Sequence, residues 1–275
     1  MDLNTTNGAN TFSNERPHAN NSVVNSLLFS SSLMHENKRI NSRYCLKSAV
    51  VIFCDLSGFQ QLTVQLGDIN CTGVVENLFS EFDALAAAFG LSPLKTNGDQ
   101  YIVAGFCNNS ACAKDALESS INNAIKFALR ARNLVRNHTL LSSSFSQLRV
   151  GIATGLVLAG QSSRPFAGFD IWGTTVNRAA MLEQYTAPDT IAICEKSYDL
   201  VSYRLSQTIN TSTRNAPSYN ADSPPKPEVR EMFERAPHKA GGSLLLDEYS
   251  LMLTFQPTQL RTKATLINAY VCETI

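Results

Sequence analysis

Two stretches of this 275-residue chain carry side chains whose type and spacing could do phosphate chemistry. In the first, Val50-Val51-Ile52-Phe53-Cys54-Asp55-Leu56-Ser57-Gly58-Phe59, an apolar run ends in a carboxylate and then in a small glycine-containing turn. The second, Leu94-Lys95-Thr96-Asn97-Gly98-Asp99-Gln100-Tyr101-Ile102-Val103, sets Asp99 directly after Asn97-Gly98. Carboxylate oxygens are hard ligands suited to Mg²⁺ or Mn²⁺, and the backbone amides of Ser57, Gly58 and Phe59 would stand beside Asp55 as donors to phosphate. A pair of such ions roughly 3.5–4 Å apart activates an attacking hydroxyl and shields a departing phosphate. Taken singly, Asp55 also reads as a helix cap and Asp99 as a turn residue.

The elements that must hold these groups follow from local pattern. A short run rich in branched apolar residues, closed by turn chemistry, reads as a strand buried on both faces, so Asp55 sits where that strand surfaces. Asn-Gly between two short apolar segments is the strongest short-range hairpin signal, which puts Asp99 at the tip of a hairpin. Between them lies Gly58 to Phe89, whose later apolar set, Val74, Val75, Leu78, Phe79, Phe82, Leu85 and Phe89, recurs at three- and four-residue intervals and predicts an amphipathic helix ended by Gly90. Ala111 to Val135 predicts a second long helix. Leu148 to Thr154 and Leu156 to Ala159 predict strands around Gly155, and a helix is expected to start near Asn177 and run to about Tyr185. The order predicts an α+β fold, a mixed sheet with helices on one face and a ferredoxin-like βαββαβ core.

Composition excludes several functions. With 23 basic and 23 acidic residues the chain has no electrostatic case for nucleic acid or an anionic membrane surface. No stretch approaches the ~20 apolar residues of a membrane span. Seven scattered cysteines without a CxxC pair read as reduced, buried groups of a cytoplasmic protein. Residues 1–45 are rich in Asn, Ser and Thr and are expected to be disordered, with Val23 to Met34 able to form one short helix. Residues 46–275 are expected to be one domain interrupted by a flexible, Pro-containing insertion at about 204–242, within which Pro227 to Phe233 could form a brief helix. Strand patterning returns at Tyr249 to Phe255 and Leu266 to Cys272.

The two motifs, with the later Phe166-Ala167-Gly168-Phe169-Asp170-Ile171-Trp172-Gly173-Thr174-Thr175-Val176-Asn177, resemble the catalytic domain of class III nucleotidyl cyclases, the adenylate and guanylate cyclase family. The resemblance runs from about Ser48 to Val201 and implies that family's ferredoxin-like core with additional strands. It implies that Asp55, Asp99 and the carbonyl of Leu56 hold two Mg²⁺ or Mn²⁺ ions per site. ATP is the implied substrate and 3′,5′-cyclic AMP with pyrophosphate the product.

Base choice has a chemical reason. Adenine presents an acceptor at N1 and a donor amine beside it, and guanine the reverse. One donor, Lys95, with one acceptor, Asp170, suits adenine and leaves buried groups unpaired against guanine. In the family a lysine and an aspartate at these positions go with ATP, whereas glutamate and cysteine go with GTP. The resemblance further implies that Asn177 orients the ribose, that an arginine four residues later stabilises the phosphate undergoing substitution, and that Arg261 in the basic segment 260–263 contacts the terminal phosphates.

Here the position one helical turn past Asn177 is Met181, which cannot donate to an oxyanion. Arg178 points about 100° away around the helix. Arg164, or an arginine of a partner subunit, is left as a substitute; otherwise the chain is a slow cyclase, or an incomplete, catalytically weak half of a heterodimer. Lys95 and Asp99 share one hairpin but serve opposite ends of the nucleotide, so a two-fold homodimer is expected, one subunit giving Asp55 and Asp99 and the other Lys95, Asp170 and Asn177. A diguanylate cyclase would need an acidic Gly-Gly loop, which the hairpin lacks.

Overall fold

Val50, Val51 and Ile52 are completely buried and alternate between the two faces of β2 (Tyr44–Ser57), the strand on which the sheet is built. The computed structural model describes residues 39–41, 44–107, 113–162, 164, 168–202, 243–246, 251–263 and 265–274. The expected helix at Val23 to Met34, the insertion at 204–242 and its helix at Pro227 to Phe233 lie outside the described residues, as does all but a few residues of the N-terminal 45.

In chain order the elements are β1 (Arg39–Asn41), β2, α1 (Phe59–Leu66), α2 (Asp68–Ala88), β3 (Ser92–Asn97), β4 (Gln100–Cys107), α3 (Ala113–Asn137), α4 (Thr139–Ser143), β5 (Gln147–Gln161), β6 (Phe169–Trp172), α5 (Thr174–Tyr185), β7 (Ile191–Cys194), α6 (195–202), β8 (Ser243–Leu246), β9 (Leu251–Arg261) and β10 (Leu266–Thr274). The strands form one mixed sheet in the order β3-β4-β2-β5-β7-β10-β9-β8, with β1 beside β2 and β6 beside β5. Among the described residues only β5 and β7 pair in parallel, and the other pairings are antiparallel. The α+β class and the core order strand, helix, hairpin, helix, strand hold.

Both faces of β2 are covered, which is why its sequence is a continuous apolar run rather than an alternating one. Val50, Ile52, Cys54 and Leu56 pack with Leu78, Phe82, Ile125 and Ala128 of α2 and α3. Ala49, Val51 and Phe53 pack on the other side with Ala179 and Leu182 of α5. Helices therefore lie on both faces, not one. The predicted first long helix is α2, which begins at Asp68 after Gly67 (φ 75°) closes the separate α1 and stops at Ala88 just before Gly90 (φ 65°). Gly155 does not separate two strands, because β5 runs unbroken along β2 from Gln147 to Gly160.

An aromatic cluster fixes the hairpin to the helical layer. Tyr101, the first fully buried residue of β4, lies 5.3–5.4 Å from the Phe79 and Phe82 rings, and its hydroxyl donates to Asp83 Oδ1 at 2.6 Å. Burying rings of this size contributes about 2–3 kcal/mol each. The anchor lies two residues from Asp99 and sets the height of the hairpin tip.

Candidate functional site

Asp55 occupies the last turn of pleat on β2, paired across to Gln100 on one side and Arg149 on the other. Asp99 immediately precedes Gln100, at the end of the turn whose Gly98 adopts φ 62°. The register thus brings the two predicted carboxylates to neighbouring strand ends. Asp99 senses its neighbour: burial, then the charge of Asp55, raises its carboxyl above the usual range. After Asp55 the backbone turns at Gly58 (φ 85°), and a side chain there would also press within 3.2 Å of the Phe145 carbonyl, so glycine is required on two counts. Ser57 Oγ donates to the Gln147 carbonyl at 2.9 Å, and α1 starts at Phe59, leaving first-turn amides without helical acceptors beside Asp55.

Among the described residues no group of three or more His, Cys, Asp or Glu side chains is arranged to enclose a metal ion. Two carboxylates with a backbone carbonyl nevertheless suit Mg²⁺ or Mn²⁺, which characteristically keep waters and take substrate phosphate oxygens as remaining ligands. The donor set fits an ion completed by its substrate.

Three polar residues that sequence reasoning missed surround Asp55. The Arg149 guanidinium pairs with the Asp55 carboxylate through Nη2, and the same nitrogen lies 3.2 Å from Glu183 Oε1. Gln100 Nε2 donates to Glu183 Oε2 at 3.2 Å. Glu183 is 3% exposed, and burial followed by the Asp55 charge pushes its carboxyl up to about 7, against the opposing pull of Arg149. Its place under the strands depends on Gly151, where a Cβ would fall 2.3 Å from both the Ala179 carbonyl and the Glu183 amide. The available signal was an acid on an apolar stripe: Ala179, Leu182 and Glu183 share the buried face of α5. Arg149 had no such signal, since its proximity to Asp55 is a matter of strand pairing.

The base-reading candidates also meet. Lys95 Nζ donates to Asp170 Oδ2 at 2.8 Å, and Asp170 Oδ1 accepts from the Ile171 amide at 2.8 Å. They line a cleft of about 390 Å³ together with Phe53, Gln100, Ile102 and Val176. Asn177 is exposed in the first turn of α5, one residue past this cleft wall. Met181, one turn on, is half-buried and packs into the apolar layer beside Ala153 and Leu182. Arg178 and Arg164 are exposed, the latter in the loop between β5 and β6. Arg261 ends β9 at the hairpin closed by Thr262 and Thr265, in a separate cleft from Lys95. One chain therefore gathers Lys95 with Asp170, and Asp55 with Asp99, and leaves Arg261 apart from both.

Residues 43–224, more than half of the chain, match the model of the adenylate and guanylate cyclase catalytic domain. Among curated proteins the chain is 31% identical over 153 residues to an adenylate cyclase of Mycobacterium tuberculosis, covering 55% of this chain and 33% of that protein. It is 23% identical over 155 residues to a membrane guanylyl cyclase of Dictyostelium discoideum, covering 56% of this chain and 10% of that one. The chain thus spans a third or less of these relatives' length. Among solved structures it resembles the adenylyl cyclase CyaB of Pseudomonas aeruginosa, with a TM-score of 0.57 at 16% identity over 84% of this chain and 95% of that one. A rhodopsin-guanylyl cyclase catalytic core of converted specificity, solved with ATPαS, gives a TM-score of 0.58 at 17% identity over 86% of this chain and 100% of that one. The motifs, the sheet that carries them and the family match agree: this chain belongs to the adenylate and guanylate cyclase catalytic-domain family.

Proposed function

We propose that the chain is an adenylate cyclase, converting ATP to 3′,5′-cyclic AMP and pyrophosphate in the cytoplasm as part of intracellular signalling. The observation that carries the choice of ATP is the Lys95–Asp170 pair, one donor and one acceptor 2.8 Å apart in one cleft. Against adenine each has a partner; against guanine each faces its own kind. The six described cysteines are all unpaired, five of them buried, which supports a reducing compartment. Among the described residues no helix is long and apolar enough to cross a membrane.

Asp55, Asp99 and the Leu56 carbonyl would hold Mg²⁺ or Mn²⁺, two ions per site, which supply the charge that acidifies the ribose 3′-hydroxyl and steadies the leaving pyrophosphate. The first amides of α1, with Ser57 and Gly58, receive phosphate oxygens, and the Arg149 guanidinium beside Asp55 adds positive charge at that end. Arg261 serves the terminal phosphates from its own hairpin. Asn177 orients the ribose so that O3′ lies in line with the α-phosphorus. The O3′–P bond forms as the bond from that phosphorus to the β-phosphate bridging oxygen breaks, and the hydroxyl proton leaves to solvent. Nucleophile and electrophile belong to one molecule, so holding them in line supplies much of the rate. The site is shared in a homodimer: Asp55 and Asp99 of one subunit face Lys95, Asp170 and Asn177 of the other.

The packing of Met181 supports a second reading. With an apolar side chain where the family has its transition-state arginine, the chain turns over slowly, or binds nucleotide and pairs with another cyclase chain without turnover. Purified protein incubated with Mn²⁺ and either ATP or GTP separates these. Cyclic AMP from ATP supports the cyclase; binding of ATP without product supports the second reading; cyclic GMP as the main product overturns the assignment of substrate.

A further inference from the structure

Arg149 is held in an unbalanced way. Its Nη2 donates to Asp55 Oδ2 and only stands within ion-pair range of Glu183, while its Nε is buried and, among the described residues, has no acceptor. Beside it Glu183 Oε1, although 3.2 Å from Nη2, accepts no hydrogen bond among the described residues. A buried donor and a buried acceptor on neighbouring side chains are thus both left unsatisfied while the guanidinium leans toward Asp55. The acceptor is the fixed member: Glu183 Oε2 is tied to Gln100, and its backbone is pressed against Gly151 of β5. The guanidinium, on its longer stem, is the member that can move.

We propose that Arg149 is the resident counter-ion of Asp55 in the empty protein, and that Glu183 is a positioning residue that takes it over when a divalent cation claims Asp55. A guanidinium cannot share a carboxylate oxygen with a doubly charged ion without strong repulsion. Withdrawal toward Glu183 pairs Nε and Nη2 with the two-oxygen end of a carboxylate, the side-on fork that arginine favours, and satisfies both orphaned atoms together. Cation entry is then an exchange of partners inside the site rather than expulsion of a charged side chain into water. The proposal rests on Asp55 being a cation ligand.

The test measures Mn²⁺ binding to the full nucleotide-free chain by electron paramagnetic resonance. Arg149→Met should tighten binding about tenfold, and Glu183→Gln should weaken it about fivefold by stranding Arg149 on Asp55. In the Arg149→Met background the effect of Glu183→Gln should fall below about twofold. Unchanged or weaker binding in Arg149→Met overturns the exchange; an equal loss from Glu183→Gln in both backgrounds makes its effect one of bulk charge and overturns its receiving role. Asp55→Asn should abolish binding, and if it does not, the reading of Asp55 itself fails instead. Should the variants not fold, the Nε–H resonance of Arg149 in the unmodified chain decides: it should move to a hydrogen-bonded position as Mg²⁺ saturates, and a resonance that stays in place contradicts the exchange.

Discussion

Lys95 on β3 and Asp170 on β6, 75 residues apart in sequence, close an ion pair across one cleft of a single chain. At 47% and 21% side-chain exposure the pair contributes little to stability, at most about 1 kcal/mol, so its proposed part in reading the base can be tested without unfolding the chain. The double variant Lys95→Glu, Asp170→Cys reverses the donor and acceptor. Its preference for ATP over GTP, measured as the ratio of kcat/KM, should fall by about 10- to 100-fold, with thermal stability nearly unchanged.

Met181→Arg restores a donor one helical turn from Asn177. In an impaired enzyme kcat should rise by about 10²-fold with KM little altered, the signature of an interaction made only in the transition state. Because Met181 is half-buried in the apolar layer, the same variant should unfold at lower temperature. An unchanged kcat in a folded variant would show that the arginine position is not what limits turnover.

Glu183 gives the metal-free protein a pH dependence. Its carboxyl, near 4.5 when unfolded, is pushed to about 7 by burial and by Asp55, so the folded state binds the proton more tightly. The stabilising contribution of the protonated form is therefore fully present below pH 4.5 and is lost as pH rises through 7, on the order of 3 kcal/mol in all. Urea unfolding in the presence of a chelator should show this decline, and Glu183→Gln should flatten it.

Gly151→Ala tests the close approach of α5 to β5. The added carbon would meet backbone atoms of Ala179 and Glu183 at 2.3 Å, which no side-chain rotation relieves. A loss of about 2–3 kcal/mol in urea unfolding is expected, and a neutral effect would mean that α5 sits farther from the strand.

What was legible in the sequence was local. The continuous apolar run of β2 announced a strand covered on both sides, and Asn97-Gly98 announced the hairpin, so Asp55 and Asp99 could be placed at strand ends. That α5 covers the second face was not legible, because Ala179, Leu182 and the residues around them form a stripe that does not say which face it meets. Arg149 and Glu183 acquire their meaning only from pairing register and from the bare Cα of Gly151, neither of which sequence spacing encodes.

The central claim is that two subunits share each ATP site, the cation-holding carboxylates coming from one and the base-reading pair from the other. Asp55→Ala and Asp170→Ala chains should each form almost no cyclic AMP alone. Mixed in equal amounts and allowed to exchange subunits, half of the dimers carry one intact site, so about a quarter of the unmodified activity should return. No recovery in a mixture shown to contain the mixed dimer would contradict the account.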